Sequence, residues 1–330
     1  MSLDLARESH PIPQRAGGAR RTAVRQRPDP LIADLCDGLR RWHLWFNLAW
    51  KDIRSRYRRT VIGPFWTVLS TATLVGGLGF VNATLWHVEL RIYLPFFCAG
   101  YIAWLLFVTV VNESGPSLIA AEASIKAIRI PYSIFIFRVL TRNLIVFGHN
   151  LVVLVLLALI FTVRPTASTL LLPVGLAFAM VNYLWIGLLL AAICARFRDV
   201  IQLVANASTV LFFVTPIFWR PEQLDPVPTA RFLLADTNFA YHLVDVIRAP
   251  LLGTAPDPLS YGYLAAAAVL GFTVTALFLR RVYDRIAYWL WPDDVDCTRP
   301  GLCRLSDLRF RSQSAEAAVP RWCRGRGEER

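Results

Sequence analysis

Long stretches without any charged residue most constrain how this chain folds. Six runs of 19 to 25 residues contain no Asp, Glu, Lys or Arg. A helix of about 20 residues crosses the roughly 30 Å hydrocarbon core of a bilayer, and a helix satisfies its backbone polar groups within the segment. The sequence therefore predicts an all-α membrane protein with six transmembrane helices. The predicted spans are 62–86, 93–111, 143–163, 170–194, 201–219 and 261–279.

The positive charges lie mostly on one side of these spans. The chain has 35 Lys and Arg residues against 23 Asp and Glu residues, a net charge of +12. If the N-terminus is cytoplasmic, 30 of the 35 fall in cytoplasmic segments and five fall outside. The positive-inside rule therefore predicts that both termini are cytoplasmic. This sorting explains the excess of Arg without a nucleic-acid partner.

Two tails flank the predicted membrane domain, which covers 42–290. Residues 1–41 are rich in Arg and Pro, contain no apolar region of the kind found in a cleavable signal peptide, and are predicted to be a cytoplasmic tail. Residues 291–330 are rich in Arg and have little apolar periodicity, which predicts a disordered cytoplasmic tail.

The segment before the first span, 42–59, has the pattern of an amphipathic helix. Its aromatic and apolar residues recur at helical spacing, and a basic face lies opposite them. This pattern predicts an interfacial helix in the headgroup layer. The alternative is a stop-transfer flank that contributes only positive charge. The apolar face comprises Trp42, Trp45, Phe46, Ala49, Trp50, Ile53 and Tyr57.

Three other segments lie between spans, and each leaves an alternative open. Residues 112–133 carry a short apolar helical pattern that ends at Pro131, so they either dock on a partner or form a solvated connector. The turn 195–200 either contacts a partner or caps helix ends. Residues 220–260 contain a helical apolar stripe too short to span, which favours a re-entrant or interfacial segment over a surface loop.

Several short motifs resemble those of ABC-2 type permeases that export polysaccharides and polyol phosphates from bacteria. The matches occur in the family's order across roughly residues 40 to 290. They are RYRRTVIGPFW at 56–66, AGYIAW at 99–104, the pairs IK at 125–126 and IP at 130–131, RFRDV at 196–200 and TPIFW at 215–219.

The resemblance implies a permease in the bacterial inner membrane that works as a homodimer with a separate ATPase subunit. It implies that 112–131 and 195–200 contact the ATPase and that 220–260 forms an outer gate. The candidates for coupling to the ATPase are Glu122, Lys126, Arg129, Arg196, Arg198 and Asp199. The outer-gate candidates are Pro216 and Trp219.

The implied substrate is a polysaccharide or lipid-linked glycan, whose lipid end stays in the bilayer while the glycan threads outward. Aromatic side chains along that path stack on sugar rings in this interpretation, although such residues are more often interfacial anchors or packing elements. The main translocation-path candidates are Phe65, Trp66, Tyr101 and Trp104, with Tyr183 and Trp185 as further aromatic residues.

Neither lysine of this chain can serve as the Walker A lysine of a P-loop, so we expect any P-loop ATP hydrolysis to occur on a partner chain. A P-loop needs Gly-Lys followed by Ser or Thr, whereas Lys51 follows Trp50 and Lys126 follows Ile125. We therefore expect a transport subunit that is not an enzyme and has no cofactor, with ATP on a partner chain.

Two other functions remain open. An ABC-2 permease for a small molecule or drug would share the same spans. A membrane-embedded glycosyl- or acyltransferase would need catalytic acids or a His in a loop, and the outer segment has no recognisable catalytic spacing. Its candidate residues are Glu222, Asp225, Asp236, His242 and Asp245.

Overall fold

A computed structural model describes residues 30–58, 63, 65–128, 130–161, 166–224 and 226–290, and this part of the chain contains helices but no strand. The all-α prediction is therefore confirmed. The first six helices are α1 (Pro30–Arg40), α2 (Trp42–Tyr57), α3 (Phe65–Leu85), α4 (Leu90–Ser114), α5 (Ser117–Ala120) and α6 (Glu122–Ala127). The next six are α7 (Ser133–Phe161), α8 (Leu172–Arg196), α9 (Asp199–Val214), α10 (Pro228–Arg231), α11 (Phe239–Leu251) and α12 (Pro258–Trp289).

Five helices in the described part of the chain are long and apolar enough to cross a membrane. They are α3, α4, α7, α8 together with the 3₁₀ turn Ala167–Leu171 before it, and α12. The predicted span 201–219 corresponds to α9, which has 16 residues. At 1.5 Å per residue α9 is about 24 Å long, shorter than the hydrocarbon core. The count of six spans and the re-entrant segment therefore stay predictions.

Two long helices extend well past the uncharged runs that predicted them. Helix α7 begins at Ser133, ten residues before the run 143–163, and α12 ends at Trp289, ten residues after the run 261–279. The added turns of α7 contain Arg138 and Arg142, whose guanidinium groups are paired with carboxylates. Because these charges are paired, the helix can extend beyond the limits of the uncharged run.

Helix α4 lies at the centre of the bundle. It contacts α3, α7, α8, α9 and α11, and most of its middle turns are shielded from solvent. Small residues at Ala99, Gly100 and Ala103 let the neighbouring helices approach closely, as is common in membrane bundles.

The bundle has two ends that differ in structure. We define the basal end as α1, α2, α5, α6 and the turn between α8 and α9, and the distal end as residues 215–257. Helix α1 lies within the predicted N-terminal tail, so part of that segment is helical and packs on α7 and α12. Residues 1–29 and the predicted tail 291–330 lie outside the described residues.

Candidate functional site

Helix α2 uses only part of its apolar face to contact the bundle. Ala49 and Ile53 are buried, and α2 packs on α7. Trp42, Phe46 and Trp50 are spaced one turn apart, and each side chain is about half exposed, in contrast to the buried Ala49 and Ile53. The predicted helix is therefore present over Trp42–Tyr57, and its exposed aromatic stripe is typical of a helix that lies in a headgroup layer.

A network of charged side chains joins α2, α4 and α7 at the basal end. Arg142 of α7 donates from Nη1 to Asp52 Oδ2 at 3.0 Å and from Nη2 to Glu113 Oε2 at 2.6 Å. Arg138, one turn earlier, donates from Nε and Nη2 to the two carboxylate oxygens of Asp52, each at 2.6 Å. Arg56 of α2 lies 3.1 Å from Glu113 Oε1. Three arginines on two helices therefore share two carboxylates. We call these five residues the basal charge network.

Sequence patterns did not reveal this network. Arg142 and Asp52 are its most buried members, with 15% and 18% of their side chains exposed. Asn143 Nδ2 also donates to Glu113 Oε2, at 2.7 Å. The sequence does contain a signal of this network. Glu113 closely follows the uncharged run 93–111, and Arg138 and Arg142 lie one helical turn apart just before the run 143–163.

The first predicted coupling segment, 112–131, contains the short helices α5 and α6. Leu118 and Ala121 are buried against the bundle, whereas Ile128 at the other end of the apolar pattern is exposed. Glu122 and Lys126 form an ion pair across one turn of α6. Arg129 lies outside the described residues. The segment therefore offers a partly exposed charged surface at the basal end.

The second predicted coupling segment lies beside the first. Arg196, Arg198 and Asp199 are all exposed, and the guanidinium of Arg196 lies 5.5 Å from the ring centre of Trp289 in α12. The two segments meet where Gly115 packs on the end of α8, since a Cβ at Gly115 would lie 3.1 Å from the Sγ of Cys194. The described coupling candidates are thus gathered at one end of the bundle.

Burial at the start of α7 also affects the pKa of the Tyr132 phenol. Tyr132, just before α7, is partly buried, and desolvation raises its pKa, with the nearby carboxylate of Asp34 acting in the same direction. Tyr132 therefore stays neutral over the physiological pH range.

An aromatic groove lies between α3, α4 and α9, with a volume of about 310 Å³. Tyr101 and Trp104 line it from α4, and Phe212 faces them from α9 with ring centres 6.4 Å and 5.7 Å away. At its basal end the groove reaches Asn112, which also lines a cavity of about 250 Å³ beside Arg138 and Arg142. Two of the predicted path residues therefore share one groove.

The other predicted path residues lie elsewhere. Phe65 and Trp66, at the start of α3, are more than half exposed and do not line the groove. Tyr183 is fully buried, and Trp185 packs over Gly271 of α12. A separate basal cavity of about 460 Å³ lies between α2, Gly63 and α7. It is lined by Trp50, Ile53, Arg54, Tyr57, Arg58, Gly63 and His149.

The distal end contains a non-helical segment, 215–219, whose backbone is bound by side chains from other helices. Arg248 of α11 donates from Nη1 to the carbonyl oxygen of Pro216 at 2.8 Å, and Tyr93 Oη of α4 donates to the carbonyl oxygen of Phe218 at 2.7 Å. Arg248 is 5% exposed. Trp219 is half-buried and donates to the carbonyl oxygen of Phe213. Both outer-gate candidates therefore belong to a segment in which two backbone carbonyls accept hydrogen bonds from side chains of other helices.

Two of the five distal residues considered for a transferase are used in internal hydrogen bonds. His242 and Asp245 are buried, and both hydrogen-bond to the buried hydroxyl of Ser260, at 3.0 Å and 2.9 Å. Asp225 lies outside the described residues. Among the residues with a described position, no group of three His, Cys, Asp or Glu side chains is placed to hold a metal ion.

The fold and these sites define a multi-pass membrane protein with polar segments collected at one end and an aromatic groove along its side. Residues 43–252 match the family described as ABC-2 type transporter, so the chain belongs to that family. It is a transport subunit of the inner membrane, and the family implies a partner with ABC ATPase activity.

Two curated relatives are similar to this chain. The O-antigen export system permease protein RfbA of Myxococcus xanthus is 27% identical over 196 residues, which cover 58% of this chain and 74% of the relative. The protein of the same name from Klebsiella pneumoniae is 21% identical over 239 residues, covering 72% of this chain and 90% of the relative.

Proposed function

We propose that this chain is the permease subunit of an ABC transporter that exports a polysaccharide or lipid-linked glycan across the inner membrane. A separate ATPase subunit drives it, and two permease copies form the transport path. Both similar relatives are named as O-antigen export permeases, which supports a glycan substrate. The excess of positive charge in the basal segments supports a cytoplasmic basal end.

The aromatic groove is the observation on which this proposal mainly rests. Tyr101, Trp104 and Phe212 present ring surfaces along one side of the bundle. Aromatic faces suit the apolar faces of sugar rings, and a path lined by stacking contacts holds a chain without fixing its register. The groove would be completed by the second copy, whose facing helices would close its open side.

The basal cavity at α2 is suited to the start of transport. Trp50 and Tyr57 supply apolar surface, while Arg54 and Arg58 supply positive charge at the same cavity. A lipid-linked glycan carries an anionic group between its lipid and its sugars, so a basic and aromatic cavity at the membrane surface fits that junction.

At the basal end, α5, α6 and the turn between α8 and α9 form the proposed contact with the ATPase. Glu122, Lys126, Arg196, Arg198 and Asp199 are the described coupling candidates there. In this mechanism ATP-driven closure of the two ATPase subunits pushes on these segments. The bundle transmits that movement to the groove and to the outer gate at Pro216 and Trp219.

Cells in which the native chain is deleted and replaced by variants of it provide the test. We expect Tyr101→Ala to lower export, measured as glycan labelled at the cell surface, while intracellular lipid-linked glycan accumulates. Phe178→Ala is the matched control, because Phe178 is a half-buried aromatic residue of α8 that packs on Tyr261 away from the groove. Equal export by both variants at equal expression would contradict a role for the groove. Unchanged surface glycan after loss of the whole chain would instead favour the small-molecule permease.

A further inference from the structure

Helix α1 precedes the part of the chain that matches the family, yet it carries a buried carboxylate. The matched region begins at residue 43, whereas α1 covers Pro30–Arg40. Asp34 in this helix is 5% exposed, although most Asp side chains in proteins are on the surface. A buried carboxylate is costly unless its oxygens accept hydrogen bonds, so its partners indicate what it holds in place.

Asp34 caps a helix that begins almost 100 residues later. Its Oδ1 accepts a hydrogen bond from the backbone N–H of Tyr132 at 2.9 Å, and its Oδ2 accepts one from the N–H of Ser133 at 2.8 Å. In return, Ser133 Oγ donates to the backbone carbonyl of Asp34 at 2.8 Å. The first N–H groups of a helix lack partners within it and are usually capped by a neighbouring residue in the chain. Here the cap of α7 comes from a different helix.

The same carboxylate also binds the last long helix. Tyr283 Oη of α12 donates to Asp34 Oδ1 at 2.5 Å. The ring of Tyr283 packs on that of Tyr132, with centres 4.9 Å apart. Asp34 therefore connects the start of α7 to the basal part of α12, and both tyrosines enclose it.

The contact between α1 and α7 leaves no room for a side chain at Gly38. A Cβ at this position would lie 2.3 Å from Ser133 Oγ. Such a short distance requires the two helices to move apart or Ser133 to give up its hydrogen bond to Asp34. The close approach is therefore specific to glycine and keeps Asp34 at the start of α7.

These contacts occur where the first coupling segment ends. That segment runs to Pro131, and Tyr132 and Ser133 follow directly. We propose that Asp34 is a positioning residue that ties the end of the coupling segment to α12 through Tyr283, so that movement of the segment is transmitted to the last helix. This inference rests on the proposed function, because the ATPase supplies the movement. Glu113 in the basal charge network holds the other end of the segment.

The test compares two tyrosines of α12 in the complex of the full chain with its ATPase, reconstituted in lipid vesicles. Tyr283→Phe removes the hydroxyl bonded to Asp34 and keeps the ring that packs on Tyr132. Tyr288→Phe is the control, because Tyr288 is 76% exposed. We expect Tyr283→Phe to keep ATP hydrolysis near the wild-type rate but to lower glycan export per ATP by about fivefold or more, the lower limit of typical coupling effects. The control keeps the wild-type ratio.

Hydrogen exchange gives a readout that does not depend on export. In wild type and the Tyr288 control, adding a non-hydrolysable ATP analogue should change exchange in the basal turns of α12, and Tyr283→Phe should abolish that change. Gly38→Ala should act in the same direction without removing a charge, with Gly148→Ala as its control, since nothing lies within 4 Å of a Cβ at Gly148.

Different results would contradict the proposed export function and the proposed role of Asp34. A wild-type complex that hydrolyses ATP but exports no glycan contradicts the proposed function. In that case the hydrogen-exchange measurement still tests whether Asp34 connects the coupling segment to α12. A Tyr283→Phe complex with the wild-type export ratio and the wild-type exchange response in α12 overturns the proposed role of Asp34.

Discussion

The two ends of the bundle are held together by different interactions. At the basal end, three arginines share two carboxylates across α2, α4 and α7, and the side chains remain 15% to 50% exposed. At the distal end, Arg248 is 5% exposed and donates to a backbone carbonyl, as does the hydroxyl of Tyr93. One end uses paired charges in partial contact with water, and the other uses single donors in a dry environment.

This difference suits the two ends to different tasks. Charge pairs at a hydrated boundary can exchange partners during a movement, because water and neighbouring charges compensate a pair that opens. A donor buried against a carbonyl has no such substitute, so opening that contact leaves a polar group unsatisfied. We therefore expect the basal end to rearrange when a partner moves it, while the segment 215–219 keeps its backbone contacts and moves as a unit.

The largest effect on stability is expected from Arg142→Met. Arg142 is the residue in the described structure that contacts both carboxylates, so its loss leaves Asp52 and Glu113 close together with less compensating charge. Arg142 is only 15% exposed, so water compensates its loss only in part, and we expect a cost of about 3 kcal/mol, the lower end for a buried ion pair. Unfolding in detergent micelles would measure it, with the exposed Arg198→Met as control. Equal midpoints for the two variants would show that the network contributes nothing to stability.

A smaller loss is expected at the distal end from Arg248→Met. The change removes the hydrogen bond to Pro216 and the contact of the guanidinium with the ring of Phe96, but it also removes a desolvated charge. We expect about 2 kcal/mol, within the range for hydrogen bonds made by charged groups. Arg220→Met is the matched control, because Arg220 lies over the same ring and is half-buried. A cost above that of Arg142→Met would reverse the comparison between the two ends.

Removing a single neutral donor should cost less again. Tyr93→Phe keeps the ring and removes only the hydroxyl that donates to the carbonyl oxygen of Phe218. An uncompensated hydrogen bond of this kind is worth about 1 kcal/mol. The same unfolding measurement applies, with Tyr288→Phe as an exposed control. A stabilised variant would mean that the carbonyl of Phe218 finds water once the hydroxyl is gone.

The smallest effect on stability is expected from Glu122→Gln. The ion pair of Glu122 with Lys126 spans one turn of a short, partly exposed helix, and such pairs contribute about 0.3 to 0.5 kcal/mol. Association with the ATPase should nevertheless weaken, because Glu122 belongs to the proposed contact surface. Glu222→Gln, at the distal end, is the control for loss of a carboxylate. Normal association and transport at normal expression would exclude Glu122 from the coupling surface.

The uncharged runs were reliable predictors of where the long helices lie, and less reliable for where they end. Helix α4 extends only three residues beyond each end of the run 93–111, whereas α7 begins ten residues before its run. The difference comes from Arg138 and Arg142, which would end a span if they were unpaired. Their partner Asp52 lies 86 and 90 positions away in the chain, and no local pattern connects them.

The candidate sites also combine features that local sequence patterns predicted with features that depend on residues distant in the chain. The patterns at 112–133 and 195–200 predicted segments that the structure places side by side, and Tyr101 and Trp104 indeed share a groove. Helix α1 was assigned to a charged tail, because nothing in the sequence distinguishes its buried carboxylate from an acidic residue on the surface. Only the fold brings Tyr132, Ser133 and Tyr283 around Asp34.

The sequence by itself determined that the chain is a helical membrane protein, because a long run without charge has few other stable structures in or out of a bilayer. Its motifs also indicated the family. The tertiary structure alone decided which charges are paired and which aromatic residues face one groove. Those choices depend on contacts between residues far apart in the chain, such as Arg142 and Asp52, which are 90 positions apart, and the energies of these contacts arise only once the helices have packed.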